Sequence, residues 1–229
     1  YVAEVNKIWL FKDVEDNLKK YDEVGFYPED PILISDEFPS DKHHGWKFIS
    51  VGPDNKLYVP VGAPCNIGES RDEIYSTMTR MDLDGSNREI FARGVRNTVG
   101  FTWHPETGEM WFTDNGRDML GDNYPPCELN RISKPNEHYG YPYCHGGNIS
   151  DPEFGSKYPC DDFIKPVQNL GPHVAPLGVK FYNGNMFPEE YRGDIFIAEH
   201  GSWNRTKKIG YRSTRVKIDG NKSLGYEPF

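Results

Sequence analysis

The segment HPETGEMWFTDNG, residues 104–116, joins a turn containing Pro and Gly to a short apolar strand and a glycine-terminated loop. Most of this order recurs in NKIWLF at 6–11, KLYVPVG at 56–62 and DIFIAEHG at 194–201. These segments are spaced by about 50 residues in the first two intervals and by about 85 in the third, and a four-stranded unit repeated near 50 residues is typical of a β-propeller blade. We therefore predict an all-β propeller fold.

Further strand-like runs at 75–83, 89–92 and 98–103 complete the second repeat. Residues 82–87 read as a hairpin turn whose glycine adopts a positive φ. The helical signal is poor, and residues 13–21 form either a short helix or a loop. The second repeat is thus the most complete blade in the sequence.

The repeats leave room for about four blades, whereas closed propellers have four to eight and an open ring exposes strand edges. The chain opens within a strand and ends within an unfinished unit. We therefore expect one propeller domain over 1–229 that is incomplete at both ends, with a signal peptide removed upstream.

Composition excludes several classes of protein. The aromatic content of 14% argues against a disordered chain. The net charge of −9 disfavours binding to nucleic acid. No apolar run approaches the ~18 residues that a membrane span requires. A mixed-charge, water-soluble surface remains the simplest interpretation.

Four cysteines and three N-x-S/T sequons, at Asn148, Asn204 and Asn221, fit a secreted, extracellular or periplasmic glycoprotein. Cys144 and Cys160 bracket a loop rich in Gly, Asp, Pro and Ser, so we predict that they pair within an insertion around 134–170. This leaves Cys65 to pair with Cys127. The sequence contains no CxxC spacing, so it does not indicate a zinc ribbon.

Two motifs place candidate catalytic groups next to strands. Adjacent His43 and His44 precede the strand at 56–62, and a loop histidine is a natural general base, although both could equally be solvated. Arg96 and Asn97 are adjacent after the second repeat and could bind a carboxylate or quinone oxygen with several donors. An arginine that bridges two blades is the structural alternative.

Three further segments are rich in polar or flat side chains. Residues 113–118 and 120–130 carry many oxygen ligands of the kind that Ca²⁺ takes, although a plain acidic turn would look similar. His173 and His200 lie beside strands, and Trp203 offers a flat face to a planar cofactor or a sugar ring. A tryptophan packed between blades is the alternative.

The order of these motifs resembles the glucose/sorbosone dehydrogenase family, which includes soluble aldose, sorbosone and pyranose dehydrogenases. The resemblance runs from about residue 7 to residue 218. It rests on HGWKF at 44–48 with its preceding histidine, KLYVPVGAPCN at 56–66, the long run at 96–132, GYPYC at 140–144, HVAPLGVKFY at 173–182 and EHGSWNR at 199–205.

This resemblance implies a six-bladed propeller, of which the chain covers about four to five blades, with pyrroloquinoline quinone (PQQ) and Ca²⁺ as cofactors. It implies that His44 is the catalytic base, with His43 as the fallback, and that Arg96 is both catalytic and cofactor-binding. It further implies that the backbone carbonyls of Gly116 and Arg117 hold the Ca²⁺. The remaining cofactor-binding residues are Asn97, His173, His200, Trp203 and Arg205.

The sequence departs from many members of the family at two places. Cys127 stands where many relatives carry Asp, and Gly68 stands where relatives with a Cys65-type motif often carry a second cysteine, which again suggests the Cys65–Cys127 pair. Asn204 is a sequon inside the expected cofactor loop. We expect glycans on Asn148 and Asn221 but not on Asn204, where a glycan would block the site.

The resemblance implies an oxidoreductase that transfers a hydride from an aldose, a pyranose or a sorbosone-like aldehyde to PQQ. Electrons would then pass to an external cytochrome or quinone. The alternative is a non-catalytic extracellular propeller that binds carbohydrate or serves in an assembly with other proteins. A calcium-dependent lactonase fits the motif order less well, because it needs Glu, Asn and Asp side chains converging at the axis.

Overall fold

Residues 1–19 and 30–229 are described in a computed structural model, and β-strands predominate within them. Most strands form four sheets that follow one another along the chain, as propeller blades do. The all-β prediction is confirmed, whereas a closed ring of six blades stays a prediction. None of the described helices is long and apolar enough to span a membrane.

The strands of the first two sheets lie within residues 2–93, except for one strand from the insertion that joins the second sheet. The first sheet consists of β1 (Val2–Ala3), β2 (Ile8–Leu10) and β3 (Ile32–Ser35). The second sheet consists of β4 (Ser50–Val51), β5 (Leu57–Val61), β6 (Thr77–Met81) and β7 (Glu89–Arg93). All of these neighbours pair antiparallel.

The third and fourth sheets complete the architecture. The third consists of β8 (Gly100–Trp103), β9 (Met110–Asp114), β10 (Pro126–Ile132) and, after the insertion, β14 (Gln168–Pro172). The fourth consists of β15 (Pro176–Phe181), β16 (Ile195–Glu199), β17 (Arg212–Asp219) and β18 (Lys222–Pro228). The strands within each sheet are again antiparallel.

The insertion between β10 and β14 contributes three short strands. β11 (Glu137–His138) pairs parallel with β7, so the insertion reaches back to the second sheet. β12 (Cys144–His145) and β13 (Ile149–Ser150) form a separate hairpin. The predicted Cys144–Cys160 disulfide is present, with its Cα atoms 5.3 Å apart.

Several local predictions are confirmed and one is wrong. Gly85 has a φ of 89° in the turn between β6 and β7. For residues 13–21 the sequence left a short helix and a loop open, and α1 (Val14–Lys19) is the helix; residues 20 and 21 lie outside the described range. The run at 98–103, assigned to the second repeat, instead supplies β8, the first strand of the third sheet. Sequence order alone does not reveal where one blade ends.

The core consists of three apolar layers, each between two successive sheets. Side chains alternate along a strand, so a strand buried on both faces contributes to two layers. Phe112 of β9 packs toward the second sheet, while its neighbour Trp111 packs toward the fourth. In the same way, Tyr58 of β5 faces the third sheet and Leu57 the first.

Replacing Trp111 with Ala should lower the free energy of unfolding by about 3–5 kcal/mol, because it removes a large side chain from a closed layer. Trp111 is fully buried, whereas Trp46 is 84% exposed and provides a matched control. Trp46→Ala should change stability by no more than about 0.5 kcal/mol. Urea unfolding of both variants makes the comparison, and equal effects would contradict the layered core.

Candidate functional site

A cavity of about 350 Å³ lies where loops from the second, third and fourth sheets meet. In an antiparallel sheet, alternate connections lie at the same end, so these loops converge at one end of the stacked sheets. The cavity is lined by His44, Arg96, Asn97, Asn115, Gly116, Asp118, Cys127, His173, Ala175, Leu177, His200, Gly201, Trp203 and Asn204.

Seven of the residues predicted for the site line this one cavity: His44, Arg96, Asn97, Gly116, His173, His200 and Trp203. Two others do not. The Arg205 guanidinium donates to the backbone carbonyls of Asp122 and Lys207 outside the cavity. The side chain of Arg117 points into the insertion, although its carbonyl was the predicted ligand.

His44 is held so that one ring nitrogen remains available. Its Nδ1 lies 2.9 Å from the carbonyl oxygen of Ala63. A carbonyl only accepts hydrogen bonds, so a neutral His44 ring carries its proton on Nδ1 and leaves a lone pair on Nε2. Nε2 has no hydrogen-bond partner among the described residues.

The surroundings of His44 keep its ring neutral. The pKa of His44 is lowered to about 3, chiefly by burial and in addition by the charges of Arg96 and His43, while the bond to Ala63 opposes the shift. Among the described hydrogen bonds and ion pairs, none brings a carboxylate to the His44 ring, where it would raise the pKa. The lone pair on Nε2 is therefore present at any pH above about 4.

Arg96 is almost fully engaged by protein acceptors. Nε donates to the carbonyl of Asn66 at 2.8 Å, and Nη1 donates to the carbonyl of Asn115 at 3.1 Å. Nη2 donates to Asn66 Oδ1 at 2.9 Å and, more weakly, to Asp118 Oδ2 at 3.5 Å. A guanidinium has five N–H groups, so one Nη1 hydrogen is left for a ligand.

The loop that carries Arg96 and Asn97 is fixed by a buried carboxyl. Asp114, the last residue of β9, accepts the backbone N–H of Arg96 at 2.8 Å and that of Asn97 at 2.6 Å. Burial raises the pKa of Asp114 to about 6, although these bonds and the charge of Arg96 oppose that shift. A residue from the third sheet thus orients a loop that leaves the second.

The insertion supports the cavity wall from behind. Arg117 Nη1 donates to Asp151 Oδ2 at 2.6 Å and Nη2 to Glu153 Oε1 at 3.0 Å. His145, next to the Cys144–Cys160 disulfide, contacts the same oxygen of Asp151 at 2.9 Å. Arg117, His145 and Asp151 are buried, and this network fixes the side chain that directly follows Gly116.

Three residues at the cavity have backbone conformations that are unusual outside glycine. His44, His173 and Ala175 have φ values of 52°, 59° and 48°. Such strained residues persist where the surrounding structure holds them, and they cluster at functional sites. The strained backbone at these three residues is therefore a second feature of the cavity, besides its side-chain chemistry, that is typical of a functional site.

The predicted Cys65–Cys127 disulfide is wrong, because both cysteines are free. Cys127 is buried in the cavity wall among the backbone N–H groups of Gly116, Ala175 and Val174, and burial raises its pKa to about 11. The thiol of Cys65 contacts the carbonyl of Ile67 instead. The two side chains therefore belong to separate local environments.

Several polar residues of the cavity were not assigned as site residues from the sequence. Asn115 and Asp118 lay within the motif expected to bind Ca²⁺, and Asn204 was considered only as a sequon.

Within residues 1–19 and 30–229, no three His, Cys, Asp or Glu side chains group as metal ligands. A Ca²⁺ held by backbone carbonyls at Gly116 and Arg117 would not require such a group.

At two of the three sequons the asparagine is exposed, at Asn148 and Asn221. Asn204 is partly buried, and its Nδ2 donates to Asp118 Oδ1 at 3.3 Å. Glycosylation joins the sugar to this nitrogen, so we expect Asn204 to remain unmodified in protein secreted by a eukaryotic host. Peptide mass mapping checks this, and an occupied Asn204 would contradict the cavity geometry.

The imidazole resonances of His44 should not shift between about pH 7 and pH 4, because its pKa is about 3. In the urea-unfolded protein, the same residue should titrate near pH 6.5. Between these values the unfolded chain binds the proton and the folded chain does not, so this residue reduces stability as the pH falls. NMR titration of folded wild-type protein, assigned with His44→Gln, tests this, and a midpoint above about pH 5 would exclude it.

The family described as Glucose / Sorbosone dehydrogenase matches residues 29–202 of the chain. An uncharacterized protein of Borreliella burgdorferi is 39% identical over 225 residues, covering 96% of this chain and 59% of that protein. A pyrroloquinoline quinone-dependent pyranose dehydrogenase of Coprinopsis cinerea is 25% identical over 201 residues, covering 72% of this chain and 27% of that enzyme. The chain therefore spans only part of the length of these relatives.

Solved structures show the same fold. The holo form of the pyranose dehydrogenase PQQ domain from Coprinopsis cinerea superposes with a TM-score of 0.74 at 19% identity, over 99% of this chain and 63% of that one. The PQQ-bound aldose sugar dehydrogenase from Streptomyces coelicolor gives a TM-score of 0.64 at 22% identity, over 90% of this chain and 55% of that one.

Proposed function

The chain belongs to the glucose/sorbosone dehydrogenase family, and from that membership we propose that it acts as a quinoprotein sugar dehydrogenase. Its substrate is an aldose or a pyranose, or a sorbosone-like aldehyde, and its cofactors are PQQ and Ca²⁺. The observation that carries this proposal is that His44, with a free Nε2, and Arg96, with a free N–H, line one cavity.

The chemistry of the cavity fits an anionic, planar quinone. PQQ carries carboxylates and quinone oxygens, and the cavity offers Arg96, the amide of Asn97 and the rings of His173 and His200. Trp203, 69% exposed at the cavity, presents a flat aromatic face. Gly116 lines the wall where the predicted Ca²⁺ ligands begin.

Arg96, Asn97, His173, His200 and Trp203 would hold PQQ, and the carbonyls of Gly116 and Arg117 would hold Ca²⁺; PQQ would supply a hydride acceptor, and Ca²⁺ would supply positive charge that stabilises the reduced acceptor. His44 takes the proton of the sugar hydroxyl at Nε2, because Nδ1 is already committed to Ala63. Arg96 directs its remaining N–H toward the developing negative charge. The residues thus separate a proton from a hydride, leaving a lactone or an acid as product.

The full protein would form a six-bladed ring, of which the described sheets are four neighbouring blades. The Cys144–Cys160 disulfide supports an oxidising location, secreted or periplasmic. Electrons would leave to an external cytochrome or quinone. The exposed Asn148 and Asn221 are the sites at which we propose glycosylation.

Reconstitution of the full-length protein with PQQ and Ca²⁺ should allow it to reduce a redox dye in the presence of aldoses. His44→Ala should lower kcat/KM by about 10²–10⁴, the usual contribution of a general base. His43→Ala is the matched control, because the neighbouring ring does not line the cavity, and it should retain activity within about threefold.

Steady-state dye reduction across a panel of aldoses measures these effects. Turnover that requires both cofactors and collapses only in His44→Ala supports the dehydrogenase and its base together. A protein that binds no PQQ and turns over no sugar would instead support the non-catalytic propeller. Equal losses in the His43 and His44 variants would refute the role of His44 while leaving the cofactor assignment intact.

A further inference from the structure

Asp118 lines the cavity and is fixed through its backbone. Asn66 Oδ1 accepts the N–H of Asp118 at 2.8 Å, and Asn66 Nδ2 donates to the carbonyl of Asp118 at 3.1 Å. One side-chain amide thus binds both backbone groups of Asp118. This clamp joins the β5–β6 loop of the second sheet to the β9–β10 loop of the third.

The carboxylate of Asp118 reaches side chains from three different loops. Oδ2 lies 3.5 Å from Arg96 Nη2, in the loop that leaves the second sheet. Oδ1 accepts a hydrogen bond from Asn204 Nδ2 at 3.3 Å and lies 3.7 Å from His173 Nδ1, both near the fourth sheet. Among the described residues that line the cavity, Asp118 is the only carboxylate.

These contacts decide what Arg96 offers to a ligand. Asn66 and Asn115 hold three of the five N–H groups of its guanidinium at 2.8–3.1 Å. The contact with Asp118 is the longest of the four and therefore the easiest to exchange. A ligand oxygen near Arg96 would meet one free Nη1 hydrogen and one Nη2 hydrogen that Asp118 holds loosely.

We propose that Asp118 is a positioning residue: its clamped carboxylate completes the set of acceptors that Asn66 and Asn115 provide around the Arg96 guanidinium and holds Asn204 beside it, so that one Nη1 hydrogen of Arg96 is left to face a ligand. This inference rests on the proposed dehydrogenase function, but the arrangement exists without any ligand. A carboxylate is otherwise unfavourable in a cavity for an anionic cofactor, because like charges repel. The carboxylate of Asp118 is nevertheless in the cavity, because its effect on the orientation of Arg96 outweighs its repulsion of the anionic quinone.

The test uses Asp118→Asn in the full-length protein, since this change removes the charge and keeps the size of the side chain. Asp122→Asn is the matched control, because Asp122 lies in the same loop and accepts the N–H of Thr206 outside the cavity. With PQQ and Ca²⁺, Asp118→Asn should lower kcat by about tenfold, since misplaced groups slow the chemical step. KM for the sugar should change by less than about threefold.

Binding of PQQ alone, followed by quenching of tryptophan fluorescence, provides a readout other than turnover. Removing a negative charge from the cavity should leave the affinity of Asp118→Asn for PQQ equal or higher. A merely structural role would instead lower stability, PQQ affinity and kcat together. That result, or an unchanged kcat, would overturn the proposal.

NMR of the Arg96 guanidinium in the cofactor-free protein separates this inference from the proposed function. In the wild type, contacts on both Nη groups should slow rotation about the Cζ–Nη bonds, and Asp118→Asn should speed the rotation at Nη2. Identical spectra would refute the positioning role even if the enzyme is active. The expected change without any sugar oxidation would support the arrangement and refute the dehydrogenase.

A second variant keeps the test decisive if Asp118→Asn does not fold. Asn66→Ser leaves the Asp118 carboxylate in place but removes the amide that binds both backbone groups of Asp118 and whose oxygen also accepts Arg96 Nη2. It should reproduce the selective loss of kcat. In the double variant the two effects should not add, because both act through one arrangement. Full additivity would show that Asn66 and Asp118 act independently.

Discussion

The burial of central strands on both faces is the constraint on which the structure depends. Leu57 and Tyr58, or Trp111 and Phe112, are neighbours in the chain but belong to different apolar layers. Each sheet therefore needs a partner on either side, and the sheets stack in chain order. The same requirement explains why these strands are nearly continuous apolar runs and do not alternate with polar residues.

The cavity is a consequence of that stacking. Its walls come from loops of successive sheets, so no single blade contains the site. Asp114 illustrates the connection: it ends a fully buried strand, and its carboxylate fixes the N–H groups of Arg96 and Asn97. Packing of the third sheet against the second therefore sets the position of a group proposed to meet the cofactor.

Local features proved accessible from the sequence, whereas distant pairings did not. The strands around 57–61, 110–114 and 195–199, the turn at Gly85 and the Cys144–Cys160 pair follow from neighbouring residues. The Cys65–Cys127 pair was reached by elimination and fails, because each thiol lies in a different environment. Family motifs pointed to His44 and Arg96, but gave no indication that Arg205 would lie outside the cavity.

The sequence by itself determined the all-β class, the blade repeat and the identity of most polar groups at the site, because alternation, turns and motifs are written in consecutive residues. Only the tertiary structure decided that Asn66, Arg96, Asp118, His173 and Asn204 contact one another. These residues are separated by up to 138 positions in the chain and come from different loops. Their meeting depends on how twisted sheets stack, which no local pattern specifies.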